Sequence, residues 1–514
     1  MNNNKKYTLY LISPKVKYRP ISNQKELSIL MGKKNFAIPL ALPVIAALTP
    51  DNYEIKIINE DTDKLPEKKP DIVGITSLIT TIDRAYEIAD FYRSNGVPVV
   101  MGGPYVSFMS DEALHHADSI IIGEAESTWV QYLNDFESGK LKKIYKADDY
   151  VDFKRSPKPR WDLVDTKNIM VLGIQATRGC PFNCDFCIVP QVYGKKMRFR
   201  DPDDVVEEIK SLPVKRLFFV DDNLTINKKY AHKLMAKLKP LNISWGCQCS
   251  IDIADDADLL KAMKEAGCFN ILIGFETLDP ENLERSGKKQ NTISQYKEAI
   301  NKIHSQGINI QASFVVGLDS DTLDTLDQIY DFINKNNLLY VIISILGSTP
   351  GTKVYEKMKK EGRLFNIESS IINGIFPCLH YNKMGQIELF DKYHALLDKL
   401  SSFEIIADKA VNHYNSGFFN DKMNYKHGFI NKLKNTFTLL NRYYFTKDNA
   451  KKELFKKMFG MANKGIVSYD ELAICFMTMA GFEDYVKHTK TYLNEVREKV
   501  KMNDKGPWEK QIKK

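Results

Sequence analysis

The chain has no apolar run of the roughly 18 residues that a membrane-spanning helix needs. Its longest candidate, FAIPLALPVIAALTP, is shorter and carries three prolines. The N-terminal stretch MNNNKKYTLYLISPK lacks the apolar region and small-residue cleavage site of a signal peptide, so the cytoplasm is the expected compartment. Cysteine is scarce, at 8 in 514 residues. In a reducing compartment those thiols are kept for metal rather than for disulfides. Internal repeats and low-complexity blocks are also absent, which excludes solenoids and arrays.

What is present reads as a globular protein of two to four domains, with 43% hydrophobic and 27% charged residues. The net charge of +8 is uneven: residues 381–514 hold 24 Lys and Arg against 16 Asp and Glu, while the rest balances. Within that quarter, residues 421–460 interleave 10 basic and 3 acidic side chains with Phe, Leu, Tyr and Met. Two readings stand: a core-packed helical section with a lysine-rich solvated face, which the usual burial in such patterns favours, and an amphipathic helix on an anionic membrane.

From residue 7 to about 135, the apolar runs YTLYLIS, EIKIINE, DIVGITS, VPVVMGG and SIIIGE alternate with helical patterns, the signature of a doubly wound sheet. Ligands in such sheets sit outside the carboxyl ends of the strands, where MGGPYV and IIGEAE place glycines. The polar, proline-bearing KADDYVDFKRSPKPRWDLVD reads as a linker. A second series then follows, VLGIQAT, RLFFVDD, ISWGCQCS, ILIGFET, IQASFVVG and YVIISILG, separated by amphipathic helices. Six βα units fit a partial barrel, whose chemistry collects at the strands' carboxyl ends.

In the loop after the first of those strands stand Cys180, Cys184 and Cys187. Thiolates suit iron-sulfur clusters or zinc, but a closed zinc or electron-transfer site asks for four ligands. Three thiolates on a four-iron cluster leave one iron open to a substrate. Cys247 and Cys249 alternate on a strand, so a fourth ligand from there is conceivable. Buried packing is the simpler reading for them, as for Cys268, Cys378 and Cys475.

Cys180-x3-Cys184-x2-Cys187, with Phe186 before the last cysteine in RGCPFNCDFC, resembles the signature loop of the radical S-adenosylmethionine (SAM) enzymes. The upstream segment from GITSLITT to IIGEAEST resembles the cobalamin-binding domain of their B12-dependent class. FVDDN, KKQNT, VVGLDSDT and STPGTKVYEKMKKEGRLF resemble the subgroup that includes the hopanoid methylases and related lipid- or tetrapyrrole-modifying enzymes. The resemblance implies an α/β chain: a doubly wound, Rossmann-like cobalamin-binding domain (5–145), a linker (146–165), a partial (β/α)6 radical SAM core (166–370) and a mainly helical C-terminal domain (371–514).

It also implies a chemistry. The open iron of a [4Fe-4S] cluster chelates SAM, one electron cleaves it to a 5′-deoxyadenosyl radical, and methylcobalamin supplies a methyl group to an unactivated carbon. Non-methylating cyclisation, rearrangement or oxidation is the alternative. The implied SAM contacts are Phe186, Asp221, Asp222, Asn223, Glu276, Ser313 and Gly317. Ser77, Leu78, Gly102, Gly103, Gly123 and Glu124 would line cobalamin. The Asp-x-His-x-x-Gly motif that ligates cobalt in many cobalamin proteins is missing, and His115 and His116 read as surface or packing residues. Expected partners are a small-molecule or lipid substrate and a reductant such as flavodoxin or ferredoxin. Nucleic acid is not expected, because neither a second cysteine set nor a C-terminal RNA-binding barrel is present.

Overall fold

The computed structural model describes residues 6–20, 25–288, 290–402, 405–406, 409, 411–412, 439–465 and 469–507. Its first sheet has six parallel strands: β1 (Tyr7–Ser13), β2 (Tyr53–Asn59), β3 (Ile72–Thr76), β4 (Val99–Gly102), β5 (Ser119–Ile122) and β6 (Ile144–Lys146). They lie in the order β2-β1-β3-β4-β5-β6, so the winding reverses between β1 and β3. Alternate residues feed opposite layers. Tyr10, Ile12, Val73, Ile75 and Met101 pack with Ile82, Ala85 and Ala89 on one side; Leu9, Leu11, Ile72, Val100 and Ile121 pack with Trp129 and Leu133 on the other. Both faces are therefore covered, as parallel sheets require. Strand β6 has no apolar run to announce it, since only Tyr145 of its three residues is buried.

The second sheet contains β7 (Leu172–Ile174) and then, beyond a small antiparallel pair, β8 (Thr177–Arg178) with β9 (Arg198–Phe199), the strands β10 (Arg216–Phe219), β11 (Ser244–Cys249), β12 (Cys268–Glu276), β13 (Asn309–Val316) and β14 (Tyr340–Ile345). Each pairs in parallel with its predecessor, in the order β14-β13-β12-β11-β10-β7. The six-strand open barrel expected from the apolar runs is thus present. Burial alternates along it: Ala312, Phe314 and Val316 are sealed under helices, whereas Gln311, Ser313 and Val315 are only half-buried. Gln248 on β11, Leu272 on β12 and Ser344 on β14 follow the same rule, which gives the barrel an inner face with room and polar groups.

The packing does not break at residue 370. Ile371, Phe376, Leu379, Tyr381, Leu389, Tyr393 and Leu400 join the barrel's own core, and the helix Gln386–Leu400 lies against it. A separate methionine-rich core joins Leu27 and Met31 to Met458, Met461, Phe476, Met477 and Met479, from the helices Asn449–Asn463 and Tyr469–Lys490. Of the basic stretch 421–460, residues 421–438 lie outside the described residues; in the remainder Leu454, Phe455 and Met458 point inward while Lys456 and Lys457 are exposed. Among the described residues no helix is long and apolar enough to cross a membrane.

Candidate active site at the facing edges of two sheets

The cysteine loop is held by protein bonds at its neck, middle and tip. At the neck, β8 pairs with β9, so Thr177 opposes Phe199 and Arg178 opposes Arg198. Gly179, at φ +93°, lies so close to the returning chain that a Cβ would come within 2.7 Å of the Lys196 carbonyl. The Cys180 amide donates to the Gly194 carbonyl at 3.3 Å, and the Cys187 amide donates to the Cys184 carbonyl at 3.1 Å. At the tip, the Asp185 amide donates to Ser286, its carbonyl accepts from Val354, and its carboxylate pairs with Lys353 at 2.8 Å. Phe186 packs against the barrel core. Burial pushes the Cys180 and Cys184 thiols up and carries Cys187 up to about 12.

The residues that end the barrel strands divide into builders and candidates for contact. Asp221 is fully buried and accepts from the amides of Ala176 and Thr177, so this carboxylate helps turn β7 into the loop. Burial pushes it up to about 7 against those amides. Asp222 is only half-buried and gives one oxygen to the Gly179 amide at 3.1 Å. Asn223 is buried and donates to Ser250. Glu276 ends β12 in a left-handed conformation (φ 65°) and pairs with the buried Lys288. Gly274 makes room for that pair, since a Cβ there would come within 2.5 Å of Lys288 Nζ. Asn291 clamps the same turn, its amide donating to the carbonyls of Gly274 and Phe275 at 2.9 and 3.2 Å. Gln290 Nε2 stands 4.0 Å from Cys184 Sγ. The KKQNT segment is thereby explained: its described residues brace the end of β12 and touch the cysteine loop.

Gly317, expected to let backbone approach a ligand, instead admits the ring of Tyr381, which a Cβ would meet at 2.6 Å. The turn after it is folded by buried Asp321, which accepts from the Gly317 and Leu318 amides and from Asn282. Cys247 and Cys249 are buried with their sulfurs 3.4 Å apart, in the core with Cys268.

In the first sheet, Ser77 is buried against Gly102, whose carbonyl accepts from its amide and hydroxyl. Gly103 closes the same contact: a Cβ there would fall 2.4 Å from the Ser77 carbonyl. Leu78 is 53% exposed at the mouth of this edge. Gly123, at φ +82°, has nothing within 4 Å of where its Cβ would be, so the strand end opens onto free space. His116 stacks on Tyr86 with ring centroids 4.0 Å apart and pairs with Asp90, while His115 is exposed; both end the helix that leads into the start of β5, at the opposite edge.

Glu124, expected to line cobalamin, has protein partners that the sequence did not announce. Its carboxylate pairs with Arg198 at 2.7 Å and Arg178 at 3.1 Å and accepts from the Val151 amide at 2.8 Å. Burial alone would raise it, but the two guanidiniums hold it below the usual carboxylate range. Such pairs join elements far apart in sequence, and no local pattern announces them. At a second point, a Cβ on Gly351, just after β14, would meet the Phe108 ring at 2.5 Å. At a third, Tyr105 bonds Ser369 at 3.0 Å and the Ser370 amide donates to Asp83 at 2.9 Å. The carboxyl edge of the first sheet therefore faces the carboxyl edge of the barrel.

Comparison with known proteins fits this geometry. Residues 174–333 match the model of the radical SAM superfamily, and residues 34–133 match that of the B12 binding domain. The chain is 33% identical over 384 residues to bacteriochlorophyllide d C-8(2)-methyltransferase of Chlorobaculum tepidum, covering 70% of this chain and 82% of that protein. It belongs to the B12-binding radical SAM methyltransferases. It is also 27% identical over 364 residues to hopanoid C-2 methylase of Rhodopseudomonas palustris, covering 67% and 68% of the two chains. The solved cobalamin-dependent SAM radical enzyme OxsB shares the fold, with a TM-score of 0.59 over 95% of this chain and 84% of its own at 14% identity.

For a B12-binding radical SAM enzyme, the donor set of the cysteine loop suits a [4Fe-4S] cluster. Among the described residues, no three Cys, His, Asp or Glu converge on a single ion. A cluster does not ask for that, because each thiolate meets a different iron. Gly123, with nothing within 4 Å of where its Cβ would be, leaves the end of β5 open to a ligand's approach.

Proposed function

We propose that the chain methylates an unactivated carbon of a largely apolar, ring-bearing small molecule, with Cys180, Cys184 and Cys187 holding the cluster. The observation that supports this reading is the meeting of the two carboxyl edges at Glu124–Arg178, Phe108–Gly351 and Tyr105–Ser369, since methyl transfer needs the two cofactors on facing edges. With cluster and cobalamin bound, the chemistry supplied is reductive cleavage of SAM and carriage of a methyl group.

The chain's own residues orient and exclude. Asp222 directs its second oxygen, which has no protein donor among the described residues, to the SAM ammonium group, while Asp221 keeps the loop in place. Asn223 and Phe186 shape the same end. Ser313 offers a hydroxyl from the inner face, and Glu276, neutralised by Lys288, presents a rigid polar wall rather than a free charge. On the other side Gly123, Gly102 and Leu78 flank cobalamin, while Ser77 and Gly103 lock the turn beneath it. The substrate class rests on the names of the relatives, bacteriochlorophyllide and hopanoid enzymes, and on the hydrophobic residues Leu272 and Val315 that stand among the polar ones of the inner face.

The test is anaerobic reconstitution with iron, sulfide and hydroxocobalamin, followed by SAM and reductant. Retained cobalamin with both 5′-deoxyadenosine and S-adenosylhomocysteine formed supports the reading. Deoxyadenosine without bound cobalamin sinks methyl transfer and leaves a radical SAM enzyme of another kind.

A further inference from the structure

We propose that Glu124, Glu126, Arg178 and Arg198 act as positioning residues, forming a latch that fixes the B12-binding edge against the cysteine loop. The proposal rests on the cofactor assignment above and adds a role for four side chains that pair with one another across the two edges.

Glu124 and Glu126 sit directly after Gly123, where the first sheet opens onto free space. Arg178 and Arg198 oppose each other across the neck of the cysteine loop, two residues before Cys180 and four after Gly194. Arg178 reaches Glu126 at 2.8 Å and Glu124 at 3.1 Å, and Arg198 holds Glu124 at 2.7 Å. The side chains are between 4% and 12% exposed, so the network is shielded from solvent. Shielded guanidinium–carboxylate contacts are directional as well as strong, and breaking one leaves a buried charge without its partner.

Aromatic rings lie against the guanidiniums, two from the linker and one from the returning cysteine loop. Arg178 lies 4.5 Å from the Phe153 ring and 5.7 Å from Tyr193; Arg198 lies 5.0 Å from Tyr150. Arg198 also donates to the carbonyls of Val151 and Tyr193 at 2.9 Å each. The linker is thus clamped between both domains, and movement of the edge at Gly123 is transmitted to the neck of the loop. Methyl transfer between two cofactors needs their spacing held, and a misplacement of about 1 Å can cost on the order of a hundredfold in rate.

The experiment compares the full chain with Glu126→Gln, Glu124→Gln, the conservative Glu126→Asp, and a control, Asp135→Asn, whose carboxylate bonds Tyr145 within the first domain at 3.0 Å. Hydrogen–deuterium exchange is read first on the chain without cofactors. Each Gln variant should speed exchange roughly tenfold in both 123–128 and 176–199, since each removes a charge-assisted hydrogen bond from the network. Glu126→Asp should recover part of the protection, and Asp135→Asn should leave 176–199 unchanged. After reconstitution, the Gln variants should bind iron as the parent does but release hydroxocobalamin several-fold faster. Exchange confined to 123–128, or a control that perturbs the loop equally, overturns the latch. A parent chain that binds no cobalamin defeats the cofactor reading instead, and leaves the exchange comparison to judge the latch.

Discussion

Phe108 from the first domain lies over Gly351 of the barrel so closely that a single added carbon would come within 2.5 Å of the ring. Gly351 also holds φ +88°, a conformation that side chains other than glycine rarely adopt. Gly351→Ala should therefore lower the stability of the chain by about 1–3 kcal/mol, read as the urea midpoint, because a packed contact is overfilled. It should also weaken cobalamin retention. Phe108→Leu added to it should restore part of the loss; no recovery at all would place the damage in the backbone rather than the contact.

The cysteines should separate by role. Cys180→Ala, Cys184→Ala and Cys187→Ala should each abolish cluster assembly, measured as iron per chain and visible absorbance, while unfolding shifts by less than about 1 kcal/mol, since these thiols line a half-buried loop. Cys247→Ser should do the reverse. It should keep iron and lose roughly 1–3 kcal/mol, because it sets a hydroxyl in a fully buried site.

Glu276 and Lys288 pair at the end of β12, each about 10% exposed (10% and 11%). Glu276→Gln alone strands the ammonium and should cost about 3–5 kcal/mol. Adding Lys288→Met should return much of that stability without returning SAM cleavage. Equal unfolding midpoints for the single and double variants would show that the pair is not the source of the loss.

His394 is buried among Phe376, Phe390 and Tyr393, and burial pushes its imidazole down to about 4. A group with a depressed folded pKa takes up protons preferentially when unfolded. Its contribution is present above about pH 6.5 and is lost as pH falls towards 4, amounting to about 3 kcal/mol. His394→Gln should therefore flatten the stability curve between pH 6.5 and 4, measured by urea unfolding at stepped pH. A wild-type acid limb that the substitution leaves untouched would refute this.

Much of the fold was legible because strands of covered parallel sheets carry dense apolar patterns: IVGI in β3 is continuous, and every second residue of IQASFVVG is apolar where it meets the helices. The cysteine loop was legible because three thiols in a turn rich in Gly, Pro and Asn have no packing purpose. Residues whose partners are distant were not legible. Asp221 reads as a ligand contact until its amide donors 44 and 45 positions earlier are seen. Glu124 reads as part of a cofactor cradle until its arginines are found 54 and 74 positions later. Gly317 marks a close approach correctly, but the approaching group is Tyr381 from beyond the barrel. The two-residue strands β8 and β9 are too short for any periodicity to reveal.

That small pair has a consequence for how the protein matures. Because β8, β9, Gly194, Ser286 and Val354 all grip the cysteine loop through peptide groups, its course rests on contacts that need no metal. Iron and sulfide should therefore change the protection of 176–199 little, unlike the loading of a zinc finger, and a loop that gains hydrogen-exchange protection only on loading would refute this. A cluster lost to air should then be restored by fresh iron and sulfide without denaturing the chain, read as iron per chain before and after.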